Sequence, residues 1–469
     1  MQSTATPKQS AVETRLMASA GRPVSRYRKA LVILFLLSLP FLDGKVDGDG
    51  IGYYAYLRSP LIDHNLAFAT DWPDPNILLQ FPSNPVRTAG HPPNFYAIGS
   101  AMLWAPFVIT AHVVVTTLNV LGVYTSPDGR SWPYMAALGL ATALYAFGGL
   151  WLSFLMACRF VEERWAFWAT LGIWFGSSLP LYMYKQTSWS HALSAFVTSL
   201  FLWYWLRTRK ARTDRQWLLL GLLAGLMIDV YYLNAVFLLA PAWEAASACA
   251  SAWQTASNTR NSLRNTLQGC ALVALGCLAG LMPTFITRQI VFGTPFAVGP
   301  YSLRLWNWNS PVFGKVLFSG NHGLFVLTPI LIPAFFGLFC LWRLDRRFGS
   351  ITLSTAIIFY SLISFYPWWH GVYCLGNRFF VSLTPLFILG LAAALSFARR
   401  LWSTARCASL RLVPLVLILV SWNLGLAYQW QTQLMPWRSD IYWDVVVYNQ
   451  FREVPRQALH DLVARFFLR

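Results

Sequence analysis

An all-α bundle of membrane-spanning helices is the fold class this sequence predicts, and three observations predict it. Apolar runs near spanning length recur along the chain, and only 12% of the 469 residues are charged against 56% hydrophobic, about half the charge fraction of an ordinary soluble protein. The basic residues also cluster in the gaps between runs on alternate sides, as topology signals do. The 23 Trp and 16% aromatic content suit interfacial belts, where an indole keeps one apolar face and one wet N–H.

Residues 1–29 form a basic arm (Lys8, Arg15, Arg22, Arg26, Arg28, Lys29) before a short apolar run at 30–42. That run is followed by Asp-Gly-Lys rather than a small-residue cleavage site, so it reads as a signal anchor. Further runs follow at 132–157, 165–184, 189–206, 216–230, 231–248, 267–287, 323–342, 350–366, 379–398 and 412–429, about eleven helices in all. The segment 95–120 is apolar too, but it carries His112 and begins at the turn His91-Pro-Pro-Asn. If it does not cross, 22 of the 36 Lys and Arg fall on the cytoplasmic side. If it did cross, the cluster 207–215 would face outward against the positive-inside rule. It is therefore expected as an interfacial helix inside a first outer loop, 43–131. A second outer loop is expected at 288–321, both 43–94 and 288–321 being read as long non-helical stretches, and 431–469 forms an outer tail after the transmembrane domain at 30–430.

The formal net charge of +18 is spread in short clusters rather than gathered on one domain, which argues against nucleic acid as a partner and for membrane lipids. Seven Cys without a Cys-x-x-Cys pair predict neither a disulfide framework nor a zinc site.

Chemistry is expected in the outer segments. The first opens with Asp43, Asp47 and Asp49 among glycines, then Tyr53-Tyr54-Ala-Tyr-Leu-Arg58. Such carboxylates can serve as a general base or hold a cation, or can simply favour turn geometry. The segment from Tyr182 to Ala192 brings Lys185 and His191; the imidazole could join a cation site, touch a phosphate or cap the next helix. Arg288, Arg304, Lys315, His322, His370 and Arg378 add cationic groups amid aromatics, a composition that suits an anionic ligand. His322 in Ser-Gly-Asn-His-Gly and His370 in Tyr-Pro-Trp-Trp-His are equally ordinary interface anchors, and Arg378 could snorkel. Asp229, near the outer end of its run, is expected to line a cavity or to satisfy a structural hydrogen bond.

The acidic residues just after the first membrane helix, followed by Tyr-Tyr-Ala-Tyr-Leu-Arg58, resemble the opening of the C-type (GT-C) membrane glycosyltransferases, the superfamily of protein O-mannosyltransferases and the lipid A aminoarabinose transferase. Asp49 matches the Asp of that family's Asp-Glu pair, while Gly50 stands where the Glu would be, leaving the base open between Asp49 and Asp47. His91-Pro-Pro-Asn is similar to the family's Pro-Pro-Leu segment. His191 stands in place of the Asp of a Pro-Asp-Ala motif, and Arg378 matches an Arg-Tyr-x-x-Pro element.

The resemblance implies a GT-C-like fold and transfer of a sugar, with inversion, from a polyprenyl-phosphate donor to a glycan, lipid or protein acceptor on the outer face. It implies Asp49 or Asp47 as catalytic base, with Tyr53, Tyr54, Lys185, His191, Arg288, Arg304, His322, His370 and Arg378 contacting substrate. Asp49 and His191 are the candidate ligands of a divalent metal, Mg or Mn. The expected setting is a bacterial inner membrane with the site on the periplasmic side. A lipid or solute transporter and a non-catalytic assembly subunit are the alternative readings; the first predicts buried charges near the bilayer midplane and paired interrupted helices in two halves, the second tolerance to loss of Asp47, Asp49 and His191.

Overall fold

The computed structural model describes residues 25–68, 70–72, 93–209, 211–254, 259–371, 374–401, 405–437 and 440–467. Most of the basic arm and the expected turn residues His91 and Pro92 lie outside them. Every regular element among the described residues is helical. In chain order the longer helices are α1 (Arg26–Ser38), α2 (Asp49–Arg58), α3 (Gly99–Val120), α4 (Trp132–Ala157), α5 (Glu163–Gly176), α6 (Ser190–Thr208), α7 (Asp214–Val230) and α8 (Leu239–Gln254). There follow α9 (Thr259–Phe292), α10 (Leu331–Leu344), α11 (Arg346–Phe365), α12 (Thr384–Arg399), α13 (Ala405–Gln431), α14 (Trp443–Phe451) and α15 (Glu453–Phe467).

Seven stretches among the described residues are long and apolar enough to cross a membrane: Gly99–Val120, Trp132–Ala157, Tyr232–Ser251, Arg264–Phe292, Arg346–Phe365, Arg378–Arg399 and Leu410–Gln431. The expected count of about eleven draws on shorter apolar helices as well, such as α1 with 13 residues and α10 with 14. The protein is an integral membrane helix bundle.

Its helices meet through small residues and hydroxyls, as expected where lipid removes the hydrophobic drive for association. Gly221 and Gly225 of α7 face Gly276 and Gly280 of α9 across a Gly-x-x-x-Gly spacing on each helix; a Cβ on Gly276 would come to 2.4 Å from the Leu218 carbonyl oxygen. Gly337 of α10 and Gly390 of α12 make a similar close crossing. Between α6 and the 3-10 turn Arg378–Leu383, the Ser194 and Ser382 hydroxyls lie 2.7 Å apart, and Thr198 Oγ1 donates to the Ser382 carbonyl at 3.0 Å. Asn234 Nδ2 adds a bond to Ser194 Oγ at 2.9 Å. This buried hydroxyl network fixes the turn that carries Arg378.

Charges sort the bundle into two ends. At one, Arg28 pairs with Glu163 at 3.0 Å, Arg399 with Glu162 at 2.7 Å, Arg209 with Asp345 at 2.9 Å and Arg212 with Glu244 at 2.7 Å. The opposite end gathers the loop before α2, the segment between α5 and α6, the stretch 293–330 and the end of α13. Helix α3 belongs to that second end at its start and beyond its finish. Gly99 abuts the backbone of Asp229 and Val230, and Gly129, past its C-terminus, abuts Arg58. Its side chains reach the N-terminal half of α4, Trp104 to Thr142 at 2.8 Å and His112 to Tyr134 at 2.7 Å, and Asn119 Nδ2 donates to the Thr125 carbonyl in the loop beyond at 2.8 Å. Arg58 ties the surrounding loops together, with Asp63 at 2.8 Å, Asp71 at 3.1 Å and the Asp128 carbonyl at 3.0 Å.

Three expectations change in detail. The stretch 288–321 is not wholly irregular, because the apolar run carries α9 on to Phe292 and so places Arg288 within a helix; short helical turns at Gly299–Tyr301, Leu303–Leu305 and Phe313–Phe318 follow. The stretch 43–94, expected to be non-helical too, contains α2 and the π-helical turn Ser59–Asp63, because the residues after Gly48 suit a helix. The run 323–342 breaks into Leu324–Leu327 and α10, with Pro329 lying between them, where a ring without an N–H suits a break. The tail after 431 is largely helical, as α14 and α15.

Candidate active site

A cavity of about 850 Å³ opens at the second end of the bundle, lined by residues from nearly every part of the chain. Asp43, Lys45, Asp47 and Asp49 enter from the loop before α2. Gly48 caps α2 with φ at +51°, a conformation that suits glycine, and this sharp turn presents Asp47 and Asp49 on the same wall. Lys185, Gln186, Trp189 and His191 come from the segment entering α6, and Arg378 comes from the turn before α12.

Arg378 Nη2 lies 2.8 Å from Asp49 Oδ2, and Tyr96 donates its hydroxyl to Asp49 Oδ1 at 3.0 Å. The guanidinium stacks over the Trp189 ring at 4.5 Å, while Trp189 Nε1 donates to the backbone carbonyl of Asp47 at 3.1 Å and to its Oδ1 at 3.3 Å. Lys45 reaches Asp47 Oδ2 at 3.1 Å. One aromatic ring therefore braces both a cation and a carboxylate, so the acidic and basic walls are positioned together. Burial first, and then the Asp49 carboxylate, push the Tyr53 and Tyr96 phenols above their ordinary range, so both stay neutral donors.

The opposite wall is aromatic. Tyr301, Trp306, Tyr366, Trp368, Trp430 and Trp437 line it, with Trp306 and Trp368 each 5.6 Å from Tyr366. These rings come from the stretch after α9, from the end of α11 and from the end of α13. Tyr366 and Trp368 belong to the Tyr-Pro-Trp-Trp-His stretch singled out from sequence, whereas Tyr301, Trp306, Trp430 and Trp437 were missed because a Trp near a helix end reads as an interface anchor.

No protein-family model and no curated protein sequence matches the chain. Among solved structures it is similar to the archaeal oligosaccharyltransferase AglB from Archaeoglobus fulgidus in complex with an inhibitory peptide and a dolichol-phosphate. That likeness has 13% identity and a TM-score of 0.47 and covers 89% of this chain and 56% of that one. The apo form of the Archaeoglobus fulgidus oligosaccharyltransferase gives 14% identity and a TM-score of 0.47 over 86% and 55%. The chain thus spans little more than half the length of those enzymes, and at that identity and TM-score the likeness assigns it neither activity nor ligand.

Of the residues singled out from sequence, the cavity brings together Asp47, Asp49, Tyr53, Lys185, His191 and Arg378. Tyr54 turns the other way and donates to the Gly129 carbonyl at 2.6 Å. Arg288 lies behind the wall, its guanidinium 3.0 Å from the hydroxyl of Tyr232, and Arg304 is exposed elsewhere. His322 and His370 sit 5.7 Å apart beneath the loop that precedes Arg378. Burial, then the neighbouring His370 and Arg378, hold the His322 imidazole down to about 4. Asp229 does not line the cavity: it is fully buried, its backbone pressed against Gly99 by the close approach of α3 and α7.

The expected divalent metal finds no matching donor set. Among the described residues no three of His, Cys, Asp and Glu converge. Both Asp49 oxygens are already engaged, and His191, 2% exposed, is packed among the rings of Tyr182, Trp189 and Tyr231.

Proposed function

We propose that the protein is a membrane glycosyltransferase that moves a sugar from a polyprenyl-phosphate donor to an acceptor hydroxyl at the outer face of the bilayer. The observation that carries this reading is the meeting, on one cavity wall, of two carboxylates with a guanidinium. Displacement at an anomeric carbon needs a proton acceptor and a cation for the departing phosphate, and this wall supplies both. The aromatic wall opposite offers flat apolar faces of the kind sugar rings pack on, while the neutral Tyr96 phenol holds the Asp49 carboxylate in place.

In this reading the acceptor oxygen bonds to the anomeric carbon as the bond from that carbon to the phosphate oxygen breaks, inverting the centre. The acceptor proton passes to Asp49 or Asp47, and the negative charge gained by the leaving polyprenyl phosphate is met by Arg378, with Lys45 and Lys185 nearby. The paired-charge end of the bundle faces the cytoplasm, in keeping with the positive-inside rule, and the cavity faces outward, as at the periplasmic side of a bacterial inner membrane. Helix α3 then lies on the outer side, because its start and the loop beyond its finish both touch elements of the cavity end.

The test is transfer of labelled sugar from a panel of polyprenyl-phosphate sugars by the purified protein. Transfer that is lost on changing both Asp47 and Asp49 to Asn supports the reading; transfer undiminished in that double variant removes it.

A further inference from the structure

Arg378 holds its carboxylate partner through a single contact. Nη2 meets Asp49 Oδ2 at 2.8 Å, while Nε and Nη1 are buried and have no hydrogen-bond partner among the described residues. A guanidinium offers parallel pairs of N–H bonds along two edges, Nε with Nη2 and Nη1 with Nη2. Both edges share the nitrogen that Asp49 occupies. A phosphate that takes either edge bidentately must bring an oxygen to Nη2, beside a carboxylate of like charge.

We infer that Asp49 is an internal occupant of the phosphate site, exchanged off Arg378 when the donor phosphate arrives. This rests on the glycosyltransferase reading and deepens it by setting an order of events at the same site. The exchange has a built pivot, because Tyr96 holds the other carboxylate oxygen at 3.0 Å and Asp49 begins α2 directly after the Gly48 turn. It also has a chemical rationale. In an inverting displacement the base stands across the sugar ring from the leaving phosphate, so a carboxylate bound to the phosphate's own guanidinium stands on the wrong side. While paired it shields the unliganded cavity from an unpaired cation, and once released it becomes available to the acceptor. Donor binding therefore precedes productive acceptor binding.

The experiment is equilibrium binding of undecaprenyl phosphate to the full-length protein in nanodiscs, comparing wild type with Asp49→Asn, Asp47→Asn and Arg378→Ala. Removing a competing carboxylate tightens binding, so Asp49→Asn is expected to lower Kd about tenfold. Asp47→Asn removes the same charge from the same cavity without touching Arg378, and is expected to change Kd less than threefold. Binding by Asp49→Asn that is equal to or weaker than wild type overturns the exchange, as does an equal gain from Asp47→Asn, which would reduce the effect to general electrostatics. Failure of the underlying reading is separately visible: Arg378→Ala would then bind undecaprenyl phosphate as well as wild type does, and the exchange would fall with it.

Discussion

The two ends of the bundle use the same residue types for opposite ends. At the basic end guanidiniums face carboxylates across helix termini, at partly exposed positions in Arg399 with Glu162 and Arg28 with Glu163, and enclosed in Arg212, whose donors are met by Glu244, Thr208 and the Trp205 carbonyl. At the cavity end Arg378 is 12% exposed, stacks on Trp189 and leaves two nitrogens without a partner among the described residues. A guanidinium in water gains little from its partner, whereas one enclosed by aromatic walls keeps a strong field for a ligand. Unmet donors within an enclosed site, rather than residue type or enclosure alone, separate a topology signal from a candidate site.

The strongest challenge to that contrast lies in the carboxylates. Asp49→Asn and Asp47→Asn should differ sharply, the true base losing about 10²–10⁴-fold in kcat and the other far less, measured as sugar transfer at saturating donor. Next comes the cation. Arg378→Ala should cost about 10²–10³-fold in transfer, while Arg399→Ala at the other end should leave transfer within about twofold; equal losses would erase the distinction between the ends.

A third outcome concerns stability. Because the folded protein holds His322 at about 4, below the ordinary histidine value, the neutral ring is favoured on folding. Its contribution is fully present above the unfolded-state pKa of about 6.5 and is lost as pH falls towards 4. Thermal unfolding in detergent should therefore show wild type losing stability over that window by up to about 3 kcal/mol, with a shallower loss in His322→Gln. The smallest effect should come from Arg28→Ala, whose half-exposed pair with Glu163 is worth under about 1 kcal/mol and should shift Tm by no more than a few degrees.

Much of the fold was readable because its signals are local. Apolar runs marked the helices, and the glycines at 221, 225, 276 and 280 already carry the spacing that lets α7 and α9 touch. Breaks inside runs were less legible, since Pro329 interrupts a stretch whose composition is uniformly apolar. At the cavity, the acidic turn and Arg378 stood out because charge is scarce at helix ends. The direction of a side chain on a helix was not readable, so Tyr53 and Tyr54, adjacent in sequence, end on different sides of α2. Nor was the aromatic wall, since it exists only where the ends of α11 and α13 meet the stretch after α9.

That wall has a consequence for how the protein is made. Asp49 and Tyr96 leave the ribosome early, whereas Arg378, Trp430 and Trp437 follow roughly 15–80 s later at ordinary elongation rates of about 5–20 residues per second. Through most of synthesis the acidic half of the cavity has neither its cation nor its far wall. The last helices to insert therefore do more than lengthen the bundle: their arrival supplies the cation and completes the far wall, and competence is acquired late.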